Sequence, residues 1–384
     1  MKRVLFVSNG HGEAAISARL AQDVYAAARI ACDHLSLVGD ADPPSIMQQV
    51  GPRRAMPSGG LLAMGNVRNI LKDFRSGLLA HTVAQLCFLR AVRGRYDVVV
   101  AVGDIFALLM AKRAGGRRTA FVGTAKSVYV APYGPMEERV MRGADAIFVR
   151  DAQTAARLRS RGVDAAAPGN VIVDLFGRSA DAVPEHARRI AIFPGSRESA
   201  YGDAAFLCAV LRRLAAGRGR PSLGGTLSIA PVLDADRFKS ILRDGGWEIA
   251  AGRGASSPFL LTLAGRPLID AWTGPPGSML NGAVLAMGQA GTANEAAASL
   301  GVPVAAFTPP RSRQHAWYRT RQRGLLGEAM RMIPGDVQEA AAALDALLRD
   351  DATLREMSRT GRERMGPAGG SAAIAAKIAA MVND

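Results

Sequence analysis

The chain has 384 residues, 49% of them hydrophobic and 21% charged, which excludes a mainly disordered protein and gives length enough for two cores. Its net charge of +15 points to polyanions: nucleic acid, phosphorylated substrates or an anionic membrane face. Aromatic residues are only 5% and nowhere alternate with bases as in an RNA-binding platform, so nucleic acid is set aside as a partner.

Cys32, Cys87 and Cys208 stand far apart and form no paired metal spacing, which suits a reducing cytoplasm. The apolar run after Met1-Lys2-Arg3 ends at Asn9, too soon for a secretory segment. Val98–Ala111 is the longest apolar stretch, but it carries Asp104 and is too short to span a bilayer. The expected location is cytoplasmic, with any membrane contact peripheral.

Along the chain, strand candidates are Val4–Val7, Val98–Val102, Ala120–Val122 and Ala146–Val149, then Ile190–Phe193, Leu227–Ala230, Leu268–Ala271, Val284–Ala286 and Val304–Phe307. Many are β-branched runs without alternation, as in parallel strands buried on both faces. Helical spacing lies between them at Ile16/Leu20/Val24, Leu108/Ala111, Ala155/Leu158 and Leu207/Val210/Leu211/Leu214. This order predicts an α/β architecture of two Rossmann-like, doubly wound domains facing a central cleft. The polar, Pro184-containing segment 177–189 reads as a linker between residues 1–176 and 190–358. A helical tail, 359–384, is expected to pack back on the first domain.

The first strand ends in Ser8-Asn9-Gly10-His11-Gly12-Glu13. Gly10 and Gly12 permit close backbone approach, and His11 can act as a base near neutral pH or cap the loop. The third glycine of a dinucleotide fingerprint is replaced by Ala15, which argues against a nicotinamide site. Asp104 closes a buried-looking strand and reads both as an N-cap and as a second candidate base. In the second half, Gly195-Ser196-Arg197 follows a strand, and the arginine offers a charged fork to phosphate oxygens. Gly291-Thr292-Ala293 opens a helix after another strand, a geometry that holds phosphate, and Glu295 lies one turn inside, suited to ribose hydroxyls. The same turn also reads as simple helix-on-sheet packing.

Met56–Leu79 sets an apolar face among Arg68, Lys72 and Arg75, which reads either as a contact with anionic headgroups or as a core helix. Arg311, Arg313, Arg319, Arg321 and Arg323, beside Gln314 and His315, read as a phosphate or headgroup cluster or as a solvated face. No Asp-x-Asp motif or His/Cys cluster argues for a bound cation, so neither metal nor cofactor is expected.

Taken together, SNGHGE (8–13), VGD (102–104), VGTAKS (122–127), RDAQTA (150–155), PGN (168–170), PGSRE (194–198) and AMGQAGTANEAAASLGVPV (286–304) resemble the lipid-A-disaccharide synthase family. These are GT-B glycosyltransferases, and the likeness is closest to the family's synthase-related branch. The resemblance implies that the C-terminal half holds a UDP-sugar and the N-terminal half a lipid-linked acceptor, at the inner face of the plasma membrane. It implies donor contacts from Gly195, Ser196, Arg197, Gly291, Thr292, Ala293, Glu295 and Gln314. Acceptor contacts fall to Asn9, Gly10, Gly12, Glu13 and Lys126, with Asp104 and His11 catalytic. The synthase proper carries Gly-Glu-x-Ser-Gly-Asp in its first loop, and here only Gly12-Glu13 of that pattern stands. The implied reaction is an inverting, metal-independent transfer of a hexose or N-acetylhexosamine. A UDP-sugar 2-epimerase and a catalytically silent nucleotide- or lipid-binding protein are the alternatives.

Overall fold

The structure, a computed structural model, describes residues 2–38, 46–54, 78–176, 188–217, 223–307 and 313–383; the side chains of 11, 78 and 313–318 fall outside it. The chain divides into two compact units, Met1–Leu175 with Ala368–Asp384, and Phe176–Pro367.

In the first unit the elements run β1 (Arg3–Ser8), α1 (His11–Ala28), β2 (Ala31–Ser36), β3 (Met47–Gln49), α2 (Leu78–Ala91), β4 (Val98–Gly103) and α3 (Ile105–Ala114). They continue with β5 (Arg118–Gly123), α4 (Pro135–Met141), β6 (Ala146–Val149), α5 (Ala152–Ser160), β7 (Ala165–Ala166) and α6 (Val171–Asp174). The strands form one parallel sheet in the order β3-β2-β1-β4-β5-β6-β7. Every residue of β4 is buried, because helices cover both faces, and so its sequence is a continuous apolar run. Ile16, Leu20 and Val24 recur at helical spacing and turn one face of α1 into the core.

The second unit runs β8 (Arg188–Phe193), α7 (Ala200–Ala215), β9 (Leu223–Ser228), α8 (Ala235–Asp244), β10 (Glu248–Gly254), β11 (Ser257–Leu263), β12 (Arg266–Trp272) and α9 (Pro276–Leu280). Then come β13 (Ala283–Gly288), α10 (Gly291–Ser299), β14 (Val304–Phe307), α11 (Arg313–Leu326), β15 (Met330–Ile333), α12 (Val337–Arg349) and α13 (Asp351–Met365). The sheet order is β10-β11-β12-β9-β8-β13-β14-β15. Its core is parallel, as the doubly wound expectation requires, and β12 still pairs parallel with β9, but β11 pairs antiparallel with both β12 and β10 at the edge.

Strand β2 escaped the sequence reading because its inward side chains are polar. β2 carries Asp33 and His34, each 3% exposed, so its pattern looks polar. Asp33 accepts from Tyr96 Oη and Arg3 Nη2, both at 2.7 Å. His34 lies between Ser8 Oγ at 2.9 Å and Gln49 Oε1 at 3.0 Å. Pairing of this kind is what makes buried polar groups tolerable.

Two expected boundaries need correction. β8 begins at Arg188, inside the segment read as linker, because Arg188 and Arg189 already pair with Leu223 and Gly224 of β9. Helix α13 runs unbroken through position 358, where the tail was expected to start, and belongs to the second unit. Beyond the break at Gly366–Gly369, α14 (Gly370–Asn383) buries Ile374, Ile378 and Met381 in the cluster that contains Leu20 and Val24 of α1. Asp174 fixes its start by accepting from Gly369 N and Ser371 N, each at 2.8 Å. One 18-residue window within Asp351–Asn383 reaches the hydropathy of a membrane-crossing helix. In the fold that stretch is two helices, and fourteen residues of α14 extend only about 21 Å against a hydrocarbon core of about 30 Å.

Candidate functional site

In a doubly wound sheet the connections leave in opposite directions at one point, and ligands gather there outside the carboxyl ends of the strands. That point falls between β1 and β4 in the first unit and between β8 and β13 in the second. The expected site residues lie at these two edges.

At the first edge, Gly10 is the N-cap of α1 and supplies no side chain to it. The Glu13 carboxylate folds back over Gly10, where a β-carbon would overlap it, and its Oε1 accepts from Thr124 Oγ1 at 3.3 Å. An acidic group thus already occupies the positive end of α1. Asn9 lies over Gly103, whose φ of +134° and missing β-carbon admit the Asn9 amide. Asp104 follows at once and caps α3: Oδ1 accepts from Phe106 N at 2.9 Å and Ala107 N at 3.2 Å. Burial raises the Asp104 pKa, and those N–H bonds oppose the rise. Oδ2 has no hydrogen-bond partner among the described residues.

The structure therefore gathers Asn9, Gly10, Glu13 and Asp104, and it adds Thr124, which the sequence reading left without a role. His11 is the first residue of α1, but its side chain is outside the description, so its distance to Asp104 is not part of the geometry. Gly12 is exposed, with open space where a β-carbon would stand. Lys126 is ion-paired to Glu137 at 2.7 Å, a carboxylate whose charge also acts on Asp104. The same Glu137 oxygen accepts from Gly134 N at 2.8 Å. Tyr133, 2% exposed, sets its hydroxyl against Gly123, and burial pushes its pKa up.

At the second edge, Phe193 and Gly288 are register partners, and Gln289 N donates to Phe193 O at 2.8 Å. The Gly195–Arg197 turn and the Gln289–Ala293 turn therefore leave adjacent strands at the same end. Ser196 and Arg197 are exposed. Glu198 beside them pairs with Arg237, which also stacks 4.1 Å over the Tyr201 ring and anchors the turn to α8.

Helix α10 differs from α1 and α3 at its start. Its N-cap is Ala290, whose methyl group cannot accept a hydrogen bond, and no acidic residue stands in the first turn. The amide groups of Gly291, Thr292 and Ala293 open a helix whose positive end no side chain of its own caps, the arrangement that receives a phosphate. Glu295 is half-buried in the next turn.

Behind this turn lies a buried polar network that the sequence did not signal. Arg319, 4% exposed, donates to Gln289 O at 2.8 Å and to Gln322 Oε1 at 3.2 Å. Gln322 Nε2 donates to Gly291 O at 2.9 Å. Asn294 Nδ2 donates to Gln322 Oε1 at 3.1 Å and to Gly288 O at 3.2 Å. Arg319 accordingly leaves the basic cluster read as a headgroup contact or solvated face: it is internal, while Arg321 and Arg323 are exposed. Arg311 lies outside the described residues, and so do the side chains of Arg313, Gln314 and His315. Met56–Leu79 also lies outside them, apart from Leu78 and Leu79 at the start of α2. Among the described residues no three His, Cys, Asp or Glu side chains gather as a metal site.

No protein-family model matches the chain, and no curated protein matches it in sequence. Solved structures match over nearly its whole length. One is a Listeria monocytogenes protein described as a UDP-N-acetylglucosamine 2-epimerase, with TM-score 0.58 and 14% identity, covering 98% of this chain and 96% of that one. Another is S. aureus MnaA with UDP, with TM-score 0.57 and 13% identity, covering 100% and 97%. A third is the calicheamicin glycosyltransferase CalG4, with TM-score 0.57 and 14% identity, covering 100% and 98%. The fold is thus GT-B, two Rossmann-like α/β units shared by glycosyltransferases and UDP-sugar epimerases. The narrower likeness to lipid-A-disaccharide synthase rests on the sequence motifs alone.

Proposed function

We propose that the chain is a UDP-sugar-dependent glycosyltransferase that moves a hexose or N-acetylhexosamine to a lipid-linked hydroxyl, with inversion and without a bound metal or cofactor. The observation that carries this reading is the contrast among three helix starts. Glu13 fills the end of α1 and Asp104 caps α3, whereas α10 begins with main-chain amides and no capping side chain. An anionic diphosphate belongs at the last of these.

In this reading Gly291, Thr292 and Ala293 hold the diphosphate, Glu295 the ribose and Arg197 the outer phosphate oxygens, with Gly195, Ser196 and Gln314 beside them. Asn9, Gly10, Gly12, Glu13 and Lys126 serve the acceptor. Asp104 Oδ2 or His11 takes the proton from the acceptor hydroxyl as its oxygen forms a bond to the anomeric carbon. The bond from that carbon to the diphosphate breaks, and its electron pair leaves with UDP, stabilised by the helix amides and Arg197. The protein works at the cytoplasmic face of an anionic membrane. Leu79, Val83 and Leu86, 61%, 57% and 37% exposed on α2, give an apolar stripe at helical spacing that suits such contact.

Epimerisation is the second reading, favoured by the epimerase among the fold relatives. Incubating the protein with labelled UDP-sugars and bacterial lipid extract separates the readings. Label in a lipid product supports transfer, and an epimerised donor without lipid product replaces it. UDP binding with neither product leaves a silent binding protein.

A further inference from the structure

Three carbonyls of the α10 turn have buried side-chain partners. Gly288 O receives Asn294 Nδ2, Gln289 O receives Arg319 Nη2, and Gly291 O receives Gln322 Nε2. A trans peptide is planar, so a carbonyl and the next residue's N–H point in opposite directions. The first peptide of the series displays the consequence: Gly288 O turns to Asn294 while Gln289 N turns the other way, to Phe193 O. By the same constraint the Ala290 and Thr292 amides face away from the network. Asn294 is fully buried, and its amide fills the space that a side chain at Gly288 would take. Gln322 joins the parts, since its Oε1 accepts from both Asn294 and Arg319. The partners come from residues 294, 319 and 322, so no local spacing around the turn announces them.

We infer that Arg319, Gln322 and Asn294 are positioning residues that set the Gly288–Thr292 turn for the diphosphate of a nucleoside diphosphate, holding the Gly288, Gln289 and Gly291 carbonyls inward so that the Ala290 and Thr292 amides face outward. The inference deepens the donor reading above and rests on it. In this reading the network acts on the turn's carbonyls and not on the nucleoside. Its loss must therefore weaken recognition of the diphosphate while leaving uridine alone, whereas general loosening of the unit would weaken both.

The test uses the full chain and three probes, UDP, UMP and uridine, titrated by calorimetry or ligand-observed NMR. Gln322→Met removes the shared acceptor and the Gly291 contact at similar volume. Arg319→Lys keeps a charge but cannot fork to Gln289 O and Gln322 Oε1 together. Either variant should bind UDP about tenfold or more weakly, UMP less affected and uridine unchanged. Equal losses for UDP and uridine, or no loss, would overturn the proposal. Hydrogen exchange on the unmodified protein tests it without a variant: UDP should slow the Ala290 and Thr292 amides and uridine should not. Equal protection by both ligands, or none from UDP, would also overturn it. A folded unmodified protein that binds uridine as tightly as UDP removes the donor reading itself, and this proposal with it.

Discussion

Thr124 Oγ1 donates a 3.3 Å hydrogen bond to Glu13 Oε1, across 111 positions of sequence. It ties the end of β5 to the first turn of α1 and keeps the Glu13 carboxylate over Gly10. Thr124→Val removes the donor at nearly constant shape. It should cost about 1 kcal/mol of stability or less, lower acceptor-dependent turnover roughly tenfold, and leave UDP affinity as it was. Kinetics with each substrate varied in turn check this. Loss of UDP affinity in step with turnover would remove the contact from the acceptor side.

Asp104 holds two duties that substitution can separate. Asn caps a helix about as well as Asp, so Asp104→Asn should alter stability by no more than about 0.5 kcal/mol, whereas Asp104→Ala should cost about 1 kcal/mol. Both should lower turnover by about a hundredfold or more if the carboxylate is the base. Near-normal turnover in Asp104→Asn would leave Asp104 as a cap alone. Because burial raises this carboxyl above its ordinary value of 3.8, turnover limited by it should fall, as pH drops, at a point above that value.

His34 makes the fold sensitive to acid. Burial lowers its pKa from 6.5 to about 4, and the Gln49 hydrogen bond offsets only part of the effect. The unfolded chain therefore binds the proton more tightly. Stability is fully present above pH 6.5 and is lost as pH falls from there towards 4, on the order of 3 kcal/mol in total. Denaturant titrations at several pH values across that window should show the slope in the unmodified protein and a flatter one in His34→Gln. Parallel slopes would assign the acid sensitivity to other groups.

The three cysteines give a direct check on the packing of the first and second units. Cys87 is exposed on α2, while Cys32 and Cys208 are buried. Burial pushes the Cys32 thiol up to about 12 and raises that of Cys208 further. A thiol reagent at neutral pH should modify Cys87 quickly and the other two only after denaturation. Rapid native labelling at Cys208 would contradict the placement of α7.

Strands such as Val98–Val102 were legible because a strand covered on both faces has to be apolar throughout, and the alternation of such runs with helical spacing dictated a doubly wound fold. The turns that carry Asp104 and Gly291 were legible too, since glycine and a capping acid announce a strand end wherever they fall. What resisted reading was anything polar that turned inward. Asp33 and His34 hid β2, and Arg319 looked like one more charge in a basic run. Nothing local marks a side chain as buried when its partners lie far along the chain: Tyr96 for Asp33, Gln289 for Arg319.

The sequence by itself determined which strand ends bear chemistry, because backbone freedom and charge are local properties. Only the tertiary structure decided that the start of α1 is closed to an anion, since Thr124, 111 positions away, holds Glu13 over Gly10, whereas the Asp104 cap on α3 is local. It also decided what holds the remaining turn in shape. Buried hydrogen bonds to the Gly288, Gln289 and Gly291 carbonyls come from residues brought together by folding, and a polar group leaves water only where such partners await it.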